Sequence, residues 1–284
     1  GVTDSNNNTV EAYTYGLTGD RLSKTYQGAT QTYTYTSPLT THQLQEIDGA
    51  GRDYDSNGNM LAPNSGNLPA YTFDDRNRMN QVHISHTDGT CTGKICTHGS
   101  DYSVGYDYNG RGERVEKQIV TANFIRVFIT NIGYVYNESG QLLGEYPGTS
   151  GVPTAEYIYL DSTPIAYVTN GTVYYLETDQ LGTPRAVIQP GTTTSTDTVV
   201  WNWDYFGSAF GENAPNQDPN NTGTSFAFNL RFPGQYYDAE TGLNYNYFRD
   251  YEPGTGRYIE SDPIEFPGGL RTYKYSRSNS LRLS

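Results

Sequence analysis

Short runs in which aromatic or aliphatic residues alternate with Thr, Ser, Asn and Gln recur along this chain. Each run breaks at a turn of similar wording: YGLTGDRL (15–22), YDSNGNM (54–60), FDDRNRM (73–79), YDYNGR (106–111) and YNESGQL (136–142). Two further copies, YDAETGL (237–243) and YEPGTGRY (251–258), follow near the C-terminal end. The alternation is that of half-buried strands. In each copy a Tyr or Phe closes a strand, Asp or Asn bonds its own backbone to start a turn, and Gly or Asn takes the positive-φ position. Arg with Leu, Met or Val then opens the return strand. One such hairpin cannot bury its aromatic face, so neighbours must stack. The pattern predicts an all-β chain of repeated hairpins.

Composition sharpens this picture. Of 284 residues, 27 are Tyr and 31 are Gly, while only 17% are charged. The polarity comes from Thr, Ser, Asn and Gln, which separates the chain from a charge-rich disordered segment, and the aromatic residues give it a core to bury. The net charge of −13 argues against nucleic-acid binding, because a phosphate backbone needs a basic surface. No apolar run approaches the ~20 residues of a membrane-spanning helix. No signal peptide is present, and a chain opening with GVTDSNNN reads as a fragment or a processed product.

Cys91 and Cys96 flank TGKI at what reads as a hairpin tip. A disulfide closing that tip is the expectation, and it implies an oxidising compartment. Two free thiols, or half a zinc site with His83, His86 and His98, are the alternatives; the spacing fits no common zinc template.

The copies resemble YD repeats, the unit of Rhs proteins, of toxin-complex B and C components and of teneurins. TDQLGTPRAV (178–187) resembles an Rhs signature, and LRFPGQYYDAETGLNYNYFRDYEPGTGRYIESDP (230–263) resembles the Rhs repeat-associated core over 34 consecutive residues. The resemblance implies a sheet wound as a spiral into a hollow or partial shell, with the core as a plug at one end. On that basis residues 1–225 form a shell segment and 226–284 the core. It also implies a C-terminal toxin as enclosed cargo, released by aspartyl self-cleavage within the core, and a secreted or cell-surface bacterial setting. No cofactor is implied. So short a chain needs further shell segments or partner subunits to enclose anything.

Carried over from self-cleaving relatives, the catalytic group falls on Arg249, Asp250 and Asp262. The intervening stretch reads as a turn and a returning strand, which brings the two carboxylates face to face. A carboxyl pair that shares a proton supplies a base to activate water and an acid to protonate the leaving group. Arg249 stabilises the charged member or orients the pair. The blander reading is a surface ion pair of Arg249 with Asp250 and a turn at Asp262-Pro263. The chain departs from the family pattern at Glu265, where relatives carry Gly, and SRSNSLRLS (276–284) lacks the second Asp-Pro motif.

A structural or adhesive surface protein is the rival class, assembling through its strands or contacting glycans, with the core a relict. Trp201 and Trp203 suit sugar stacking or a sheet core. Other enzyme classes find no support: the four His show no ligand spacing, and neither a phosphate-cradling Gly-rich loop nor a G-x-S-x-G elbow occurs. DSNGN (55–59) resembles half a calcium loop but lacks the downstream Glu, so turn geometry is its expected role.

Overall fold

A computed structural model describes residues 2–3, 6–36, 41–64, 69–85, 91–92, 95–96, 101–122, 127–148, 150–193, 196–204, 209–262 and 272–275. Among these residues every regular element longer than a turn is a strand, and all pairings are antiparallel, as the alternating pattern predicts. An N-terminal sheet of six strands runs from Val2–Thr3 to Ala50–Gly51 in sequence order. A large sheet of eleven strands follows as a meander from Ala70–Phe73 to Thr198–Asn202. It is interrupted once, by the small hairpin Cys91–Thr92 with Ile95–Cys96, and remains open at both edges. A C-terminal sheet of four short strands runs from Tyr236–Asp238 to Arg257–Tyr258.

The hairpin tips explain the repeated wording. At Asp55, Asp74, Asn109, Asn137 and Asp179 one side-chain oxygen accepts hydrogen bonds from the backbone N–H groups two and four residues on. The fourth position of each tip is left-handed: Gly58, Asn77, Gly112, Gly140 and Gly182. The first copy has the same backbone at Gly16 to Asp20 but no Asp at its head. In the copy at 106–111 the frame differs from the sequence expectation. The tip is headed by Asn109 and the positive-φ residue is Gly112, not Gly110, because Tyr108 and not Tyr106 ends the strand. The Rhs-like signature at 178–187 is one more such tip, in which Arg185 also grips the Asp179 carboxylate at 3.0–3.1 Å. Replacing Asp179 by Ala removes these acceptors together, and the expected cost is about 1–3 kcal/mol. A lower urea midpoint at unchanged m-value checks this.

Cys91 and Cys96 are register partners on opposite strands of their hairpin. Their side chains, together with His86, His98, Glu265 and the 276–284 tail, lie outside the described residues.

One face of the large sheet is covered by the C-terminal part of the chain. Tyr134, Tyr157, Tyr167, Val187, Trp201 and Trp203 form one cluster with Phe228, Leu230, Phe232, Tyr236 and Tyr245. Met79, Val82, Val104 and Tyr106 form a second with Met60, Tyr71, Leu243 and Ile259. Both tryptophans are fully buried, so they belong to the core and offer no platform to a sugar. The turn at Asp55 also meets this cover. The Tyr273 hydroxyl donates to Gly58 O at 2.6 Å, where a Cβ on residue 58 would collide with it.

Candidate functional site: buried acids of the C-terminal sheet

The two C-terminal copies share a grammar that differs from the tips of the large sheet. Their turns are one residue longer, with Gly242 N–H donating to Asp238 O and Gly256 N–H to Glu252 O. Gly242 and Gly256 are left-handed. The acids that head these turns do not bond their own turn backbone through their side chains, contrary to the sequence expectation. Each reaches outward to a buried cation. Asp238 takes Arg114 at 2.6 and 3.2 Å and Lys117 at 3.0 Å. Glu252 takes Arg52 in a bidentate pair at 2.8 Å. Arg257, at the close of the second copy, reaches Asp20 and the carbonyl of His42. The repeated sentence thus fastens the C-terminal sheet at several points.

Arg114 is wholly buried, with the rings of Tyr106, Tyr134, Tyr236 and Tyr245 at 4.2–5.5 Å. Burial pushes the Asp238 carboxyl up, but Arg114 and Lys117 outweigh it and hold the group below its usual value. Glu252 follows the same balance with Arg52.

Two of the three predicted catalytic residues, Arg249 and Asp250, lie on the strand Arg249–Glu252, which pairs with Leu243–Asn246 across a turn at Tyr247 and Phe248. Strand alternation sends Arg249 and Asp250 to opposite faces. Arg249 turns toward Asp262, with Nη2 at 3.4 Å from Oδ2, lies 3.8 Å from the centre of the Tyr258 ring, and donates to Thr272 O. The structure therefore joins two of the three residues directly, with Asp262 partly exposed. The pairing of Arg249 with Asp250 considered in the blander reading is not the one formed.

Asp250 turns inward, is 2% exposed, and meets Glu260, which is 0% exposed. Its backbone N–H donates to Glu260 Oε2 at 2.8 Å, which holds the two buried carboxyl groups beside each other. The carboxyl brought against Asp250 is thus that of Glu260. Burial pushes the Asp250 carboxyl up to about 7, against the pull of Arg114. Glu260 is pushed well above the usual range by burial and by the Asp250 charge. Sequence reasoning missed Glu260 because its weight went to the family motif. The signal was the hairpin register, in which Ile259 N–H donates to Asp250 O and leaves residue 260 beside the Asp250 backbone. Among the described residues no cluster of three or more His, Cys, Asp and Glu is arranged to hold a metal ion.

No protein-family model matches the chain. Among curated proteins it is 27% identical over 240 residues to double-stranded DNA deaminase toxin A of Burkholderia cenocepacia, covering 79% of this chain and 16% of that protein. It is 33% identical over 112 residues to the probable deoxyribonuclease RhsB of Dickeya dadantii, covering 38% of this chain and 7% of that one. Among solved structures, the crystal structure of TcdB2-TccC3 without its hypervariable C-terminal region aligns over 96% of this chain and 19% of its own, at 15% identity and a TM-score of 0.36. The chain spans less than a fifth of the length of each of these proteins. Its sequence is similar to those of Rhs-type and other toxin-related proteins and matches a minor part of each.

Proposed function

We propose that this chain is a segment of an Rhs-type toxin-delivery shell, with residues 1–225 supplying hairpins of the wall and residues 226–284 the core that plugs it. Its partners are further shell segments and a C-terminal toxin, and its setting is secreted or cell-surface. The names of the relatives, one a deaminase toxin and one an Rhs deoxyribonuclease, support this reading. So does the exposed apolar side of the large sheet, where Ile158, Leu160, Val173 and Tyr175 are solvent-facing and available to further shell. No helix among the described residues is long and apolar enough to cross a membrane.

Within the core, the proposed activity is a single self-cleavage. The observation that carries it is the environment of the strand Arg249–Glu252. A buried carboxyl with an elevated pKa at Asp250 lies one residue from the Arg249–Asp262 ion pair. Asp262, paired with Arg249, is the base that takes a proton from water, and Asp250 is the acid that protonates the leaving amide nitrogen. Environment sets two carboxylates to two roles. The test is the intact mass of the complete source-gene product beside its Asp250→Asn and Asp262→Asn variants. A wild-type product cut on the C-terminal side of Asp262, with both variants whole, is the expected result. A wild type that stays whole, or variants cut equally, refutes it and leaves the structural reading, in which the same sheets serve assembly.

A further inference from the structure

We infer that Glu260 is the positioning residue for Asp250 in this self-cleavage, sharing one proton with it across the buried contact between the two side chains. The inference rests on the self-cleavage reading for its catalytic consequence and on geometry for the shared proton.

Asp250 and Glu260 are held beside each other by the bond from the Asp250 N–H to Glu260 Oε2 at 2.8 Å. Two adjacent carboxyl groups bond each other only through a proton between them. Here both are buried, and neither Asp250 Oδ1 nor Glu260 Oε1 has a donor among the described residues. Two ionised carboxylates left this way would each bear an unrelieved desolvation penalty. A shared proton satisfies both. The surroundings oppose a second ionisation. Tyr245 is the register partner of Asp250 on the neighbouring strand, and the Asp250 charge reaches the buried hydroxyls of Tyr71, Tyr106 and Tyr108, which burial keeps neutral. Of the nearby charges, Arg114 draws Asp250 toward ionisation and Asp238 opposes it. The Arg114 charge is already engaged by Asp238 at 2.6 Å. The apparent pKa values accordingly belong to the pair.

The consequence for the reaction is a loaded acid. Water loses a proton to Asp262, and its oxygen bonds to the scissile carbonyl carbon. The C–N bond then breaks as Asp250 gives its proton to the nitrogen. The pair recovers one proton from Asp262 or from solvent, and the products are a carboxylate and an amine. Glu260 keeps Asp250 protonated until the nitrogen leaves.

The test uses the complete source-gene product. Glu260→Gln replaces a shared proton by an amide that donates to the Asp250 carboxylate, and so favours its ionised form. Cleavage is expected to slow by about 10²-fold, and the alkaline limb of its pH profile to move to lower pH. Glu260→Asp keeps a carboxyl and is expected to retain part of the rate with the limb near its wild-type position. Infrared spectra of the wild type above neutral pH are expected to show a protonated-carboxyl band that Glu260→Gln removes. Wild-type cleavage with an unchanged rate and profile in Glu260→Gln overturns the role of Glu260 while the self-cleavage reading stands. A wild type that never cuts overturns both the reading and this catalytic role. A wild type without the infrared band overturns the shared proton, whatever the cleavage result.

Discussion

Arg114→Met is expected to lower folding stability by about 3–5 kcal/mol, a large share of the 5–15 kcal/mol typical of a domain. Methionine keeps much of the volume but leaves Asp238, 0% exposed, with Lys117 as its remaining cation. The loss comes mainly from stranding a buried charge. Arg114→Met combined with Asp238→Leu should therefore recover part of it, because the apolar pair carries no desolvation penalty while Lys117 keeps Glu240 at 3.2 Å as its partner. Urea denaturation of the wild type, both single variants and the double variant gives the cycle. A single-variant loss under about 1 kcal/mol would mean that the contact is incidental. The pH dependence has a defined sign. The folded Asp238 carboxyl lies below its unfolded value of about 3.9, so its contribution is present above that value and is lost as pH falls through the folded pKa. The Asp250–Glu260 pair acts oppositely: burial raises both carboxyls, so their contribution is full below about pH 4 and is lost as pH rises through the folded values of the pair. Asp238→Asn should flatten the acid limb, and Asp250→Asn the limb leading to neutrality.

Trp201→Ala is expected to cost about 3–5 kcal/mol. Its indole is fully buried, edge-on to Phe228 at 5.1 Å, in the cluster that joins the large sheet to the C-terminal cover. Trp201→Phe should cost far less than the alanine variant. The indole Nε1–H has no hydrogen-bond partner among the described residues, so removing it relieves an unsatisfied donor while most of the ring area remains. Thermal melts of the two variants separate these terms. Equal losses would show that the cavity at residue 201 is not what matters.

The hairpin architecture was legible because its determinants are local. Asp55, Asp74, Asn137 and their equivalents close turns through bonds spanning four residues, and a left-handed Gly or Asn is visible in the sequence itself. The frame at 106–112 was misread because YDYNGRG holds two Tyr-Asp or Tyr-Asn pairs and two glycines. Only strand pairing decides between them, and Tyr108, whose hydroxyl donates to Met79 O, is the residue that ends the strand. The core role of Trp201 and Trp203 was visible only as one of two readings, since an aromatic pair on a strand suits either a ligand or a second layer.

The candidate site divides along the same line. Arg249, Asp250 and Asp262 were found from a motif, and their partners were not. Asp238 and Arg114 are 124 residues apart, Glu252 and Arg52 are 200 apart, and no local rule links them. Alternation along one short strand then gave Asp262 to Arg249, and hairpin register gave Glu260 to Asp250. By itself the sequence determined an all-β chain of stacked hairpins, because turn chemistry and side-chain alternation act within a few residues. Only the tertiary structure decided which buried acids meet cations and which meet each other, because charge pairing depends on which faces the folded sheets bring together.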